Sequence, residues 1–122
     1  MSGKVNREIV SAVSAPAGLV EAAYLAVPAF SVAAVKPLGE GCPYPGSFQI
    51  ALLAIVSYPT FVEAFRANVM VGGDQCSRSM FLGSVLGAAH GIGSAAGIPL
   101  DWIERTTAGA AAFEQAINLV SE

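Results

Sequence analysis

Apolar residues recur at helical spacing along most of this chain, and glycines and prolines mark the main breaks. Val5, Ile9, Val10 and Val13 predict a short amphipathic helix, interrupted at Pro16 and Gly18. Leu19, Ala22, Ala23, Ala26 and Val27 resume the pattern as far as Pro28, where a helix ends or kinks. Ala29 to Val35 fits either a last helical turn or a short strand. Lys36 to Gly46 holds three prolines and three glycines, a loop stiffened by its prolines. Ser47 is then placed to cap a helix through Gln49, Ile50, Leu52, Leu53 and Val56, closed by Tyr58-Pro59. Thr60 with Glu63 three residues later has capping-box spacing. The helix that follows carries Phe61, Phe65 and Val69 on one face and Glu63 and Arg66 on the other.

Gly72-Gly73 stop that helix, and Asp74 is placed to cap a central helix over Gln75 to His90. Ser79, Gly83, Gly87 and Gly91 lie four apart on it, a stripe that lets another backbone approach closely. Gly97 to Ile103 begins a further helix with Pro99 in its first turn. Ala108 to Val120 predicts a last one, burying Phe113, Ala116, Ile117 and Val120. With no alternating pattern and no solenoid repeat, the expected fold is all-α, a compact bundle of about six helices. Residues 1–122 are expected to form a single all-α domain or part of one.

Composition changes the picture in one respect. Hydrophobic residues make up 54% of the chain and charged residues only 12%, against roughly 25% charged in soluble domains. So few charges leave apolar surface to be covered, by a second copy or by more of the same fold. The net charge of -3 gives no basic footprint, which argues against nucleic acid as a partner. The uncharged run from Met80 to Leu100 is long enough to cross a bilayer. Its five glycines, His90 and Pro99 make a buried bundle helix the better reading, so no membrane partner is expected. Cys42 and Cys76 are far apart and no secretory leader is evident, so reduced thiols and a cytoplasmic location are expected.

Candidate chemistry gathers at the start of the central helix. Asp74 sits where unpaired backbone N–H groups point, and the helix dipole favours an acid there. Its plain role is a cap. A further role follows if Asp74 and Ser77, one helical turn apart, hold a hard cation. Position 76 would reach the same point, but Cys76 is a soft ligand poorly matched to magnesium. As a nucleophile at a helix start beside Arg78, Cys76 lacks a base. His90 is the only histidine and lies about four turns along the same helix. His90 and Trp102 read as core residues.

Arg66 to Arg78, then Leu82 to Gly91, then Gly97-Ile-Pro-Leu-Asp-Trp-Ile103 resemble the C-terminal part of ADP-ribosylglycohydrolases. Cys76-Ser77-Arg78 after the aspartate is more similar to the J1-crystallin branch. The resemblance covers Gly39 to Glu104 and implies an all-helical fold equivalent to the C-terminal part of that domain. It implies a binuclear magnesium centre that hydrolyses the glycosidic bond between ADP-ribose and a protein side chain. One ligand group in that family is a threonine-aspartate-aspartate motif. The other is an aspartate-x-aspartate-serine/threonine turn.

Asp74 matches the first aspartate of that turn and Ser77 its hydroxyl residue, while Cys76 stands in place of the second acid. The threonine-aspartate-aspartate motif does not occur here, since Asp74 and Asp101 are the only aspartates. Gly41 to Phe48 resembles the segment lining the ADP-ribose pocket. That makes Tyr44, Ser47, Phe48, Gly72 and Gly73 candidate ligand contacts, and Asp74 and Ser77 a vestigial metal turn. Three readings stand at this point: a catalytically silent, self-associating member; a hydrolase half completed by a partner bearing the acidic motif; and a thiol switch through Cys76.

Overall fold

The structure is a computed structural model that describes residues 30–121. The two helices expected within residues 5–27 lie outside the described residues. In chain order the elements are α1 (Val32–Val35), a 3-10 turn (Lys36–Leu38), α2 (Gly46–Ser57), α3 (Phe61–Val71), α4 (Gln75–His90), α5 (Leu100–Glu104) and α6 (Gly109–Ser121). An isolated bridge joins Ile92 to Ile98, and no strand forms among the described residues. The fold is all-α, as the periodicity predicts.

α2, α3 and α4 pack on one another and hold the core. Every residue of α2 from Ile50 to Val56 is buried, the signature of a helix apolar on all sides. α2 is therefore the most buried helix, and the glycine-striped α4 packs against both α2 and α3. One cluster joins Leu52, Ile55 and Val56 of α2 to Phe61 and Ala64 of α3 and Leu82, Val85 and Leu86 of α4. A second joins Val35, Ile50, Leu53 and Val71. Burying each of the larger aliphatic side chains contributes roughly 1.5–3 kcal/mol.

The helix ends follow local chemistry. Thr60 Oγ1 accepts the Glu63 N–H at 3.2 Å and its hydroxyl meets Glu63 Oε2 at 2.9 Å, a side-chain variant of the predicted box. Ser47 does not cap α2. The helix starts two residues earlier than that cap would give, at Gly46, and the Ser47 hydroxyl donates to the Cys42 carbonyl at 3.3 Å. On α3 the core stripe is Phe61, Ala64, Asn68 and Val71, with Val69 exposed. Trp102 of α5 packs edge-on against Phe61 and Phe65, with ring centroids 5.8 and 5.5 Å away.

α6 departs from expectation. Phe113, Ile117 and Val120, with Ala116, were expected to be its buried face, yet all are exposed, Val120 at 88%. The helix forms, but it packs against α5 at the edge of the bundle and not into the core.

Candidate functional site

α3 ends because two glycines take backbone that side chains avoid. Gly72 has φ 78° and ψ −156°, and Gly73 has φ 61°. A β-carbon on Gly73 would also overlap the carbonyl of Glu40. The reversal delivers Asp74 to the start of α4, where its carboxylate accepts the Ser77 N–H at 3.3 Å.

The turn is locked from inside by a cation. Arg78 is only 2% exposed and its guanidinium points back beneath the turn. Nε donates to Asn68 Oδ1 at 2.6 Å, Nη1 to the Glu40 carbonyl at 2.7 Å, and Nη2 to the Gly72 carbonyl. Asn68, fully buried, donates to the Gln75 carbonyl at 3.1 Å and to Ser79 Oγ at 2.9 Å. The Glu40 carbonyl also accepts the Asp74 N–H at 2.9 Å. One fork thus ties the Glu40 loop, the end of α3 and the start of α4 together. Sequence spacing gave no sign of this clamp, because Asn68 and Arg78 lie on different helices.

Electrostatics at the turn follow from these partners. The Ser77 hydroxyl, then its backbone N–H, then the Cys42 thiol hold the Asp74 carboxyl below the usual range. Donation to that carboxylate, its negative charge, and some burial in turn push the Cys42 thiol up. Burial pushes the Arg78 guanidinium down, while Asp74 and Glu40 pull it back up. It remains a cation.

Beside the turn lies an open cleft of about 250 Å³. Its walls are Tyr44, Ser47, Phe48 and Ala51 on one side and Ser77, Arg78 and Phe81 on the other. Phe48 stands 5.1 Å from Phe81 and 6.0 Å from Tyr44 between ring centroids, with the rings tilted in both pairs. The fold therefore brings Tyr44, Ser47, Phe48 and Ser77 to one place. Gly72 and Gly73 are not in its walls; they shape the turn behind it. Phe81 was missed, although its position four residues after Ser77 puts both on one face of α4.

The described donor set does not fit a pair of magnesium ions. Each ion takes oxygen ligands in near-octahedral geometry, and among the described residues Asp74 supplies the only carboxylate of the metal-type turn. One of its oxygens is engaged by the Ser77 N–H, and Cys76 stands exposed beside it. Among the described residues no three His, Cys, Asp or Glu side chains come together to hold an ion. Cys42 and Cys76 are both free thiols. Cys76 and His90 sit near opposite ends of the continuous α4, about 20 Å apart at 1.5 Å per residue, beyond any proton transfer.

Helices folded about a glycine-glycine-aspartate turn beside an aromatic cleft define a class, and the sequence profile of one family matches almost the whole chain. The chain belongs to the ADP-ribosylglycohydrolase family, whose profile covers residues 3–122, well beyond the stretch that carries the resemblance. Two relatives come from Tripedalia cystophora. Crystallin J1A is 36% identical over 76 residues, which are 62% of this chain and 23% of the crystallin. Crystallin J1B is 32% identical over 90 residues, 74% of this chain and 27% of the crystallin. The chain spans about a quarter of the length of these curated relatives. No solved structure matches it significantly. Among the described residues no helix is long and apolar enough to cross a membrane.

Proposed function

We propose that this chain is a catalytically silent member of the ADP-ribosylglycohydrolase family that keeps the turn as a structural clamp and self-associates. One observation carries the reading. The single carboxylate at the metal-type turn is spent on capping α4 and meeting Cys42, and a thiol stands where a second acid is needed. Two divalent cations require several carboxylates. Without them the hydrolytic water has nothing to activate it.

The cleft supports a residual binding role. At about 250 Å³ it is smaller than most ligand pockets, which run from roughly 300 to 1,000 Å³. It takes one planar ring among Tyr44, Phe48 and Phe81, with the buried Arg78 charge close by, and not a whole ADP-ribose. Binding is therefore weak and independent of magnesium. Two free thiols fit a reducing compartment such as the cytoplasm.

Calorimetry of the full chain with ADP-ribose, with and without magnesium, tests the reading. Weak heats unchanged by the metal are expected; tight magnesium-dependent binding would overturn it. A second reading is favoured by the quarter-length match to the relatives. In it the chain is the C-terminal part of a magnesium-dependent hydrolase, active only with the part that bears the threonine-aspartate-aspartate motif. Co-expression with a family segment carrying that motif discriminates. A stable complex that binds magnesium and releases ADP-ribose from a modified protein establishes the second reading.

A further inference from the structure

We draw no further inference here: the strongest candidate, the exposed apolar face of α6 with the groove of about 410 Å³ between α5 and α6, is unpartnered among the described residues, and nothing in the structure shows what covers it.

Discussion

Asp74 and Arg78 sit one turn apart and do opposite kinds of work. Asp74 is partly exposed and caps a helix, so Asp74→Asn, which keeps an accepting oxygen, is expected to unfold near the wild-type urea midpoint. Asp74→Ala loses the cap and is expected to unfold earlier. The pH dependence has a fixed sign. The folded-state carboxyl is held below its ordinary value, so its contribution is present above that value and is lost as pH falls through the depressed one. Asp74→Asn is expected to remove that part of the acid loss, read as a smaller drop in melting temperature on acidification. Arg78 is the larger effect. Removing it takes the donor from the buried Asn68 oxygen and from the part-buried Gly72 and Glu40 carbonyls, of which only the Glu40 carbonyl keeps another donor, the Asp74 N–H. Arg78→Met is expected to cost on the order of 3 kcal/mol in chemical denaturation. Arg78→Lys recovers only part of this, because an ammonium cannot reproduce the planar fork.

At the scale of elements, the glycines of the turn and of the α4 stripe separate by what a methyl group would strike. At Gly73 it would meet the Glu40 carbonyl, in backbone that side chains avoid, and neither can yield. Gly73→Ala is expected to lose at least 1–3 kcal/mol, on the order of the cost of a strained backbone alone. At Gly87 the nearest atom is Ile98 Cδ1, 3.1 Å away at the end of a flexible side chain. Gly87→Ala can move that atom, and gains helix propensity of about 1 kcal/mol. The expected net change is under 1 kcal/mol in either direction, and thermal melts of the two variants should separate clearly. The same distinction explains what could be read in advance. The α3 and α4 boundaries were legible because Thr60, Gly72-Gly73 and Asp74 act within a few residues of themselves. The start of α2 was not, because Ser47 spends its hydroxyl on the Cys42 carbonyl, a contact set by a folded loop. The Arg78–Asn68 clamp was illegible for the same reason: it needs two helices already crossed.

For the whole molecule, the family and the all-α fold were legible, and the cleft was partly so, since Tyr44, Ser47, Phe48 and Ser77 do converge. What failed was the assumption that an apolar face meets this chain's own core. Periodicity gives α6 a face but does not say which surface receives it, and among the described residues that face stays exposed. The metal turn raises a parallel question, whether missing chemistry is missing locally or from the molecule at large. Restoring the acid by Cys76→Asp puts two carboxylates within one helical turn of Ser77, and magnesium commonly binds through one or two carboxylates while keeping several waters. The wild-type melting temperature is expected to be indifferent to magnesium. That of Cys76→Asp is expected to rise, since an ion at ten times its Kd adds about 1.4 kcal/mol by mass action. ADP-ribose release from a modified protein is still expected to be absent, because the second ion lacks its acids. If Cys76→Asp is as indifferent to magnesium as the wild type, the loss lies in how the Arg78 clamp orients Asp74, with its carboxylate turned to the Ser77 N–H and away from any ion.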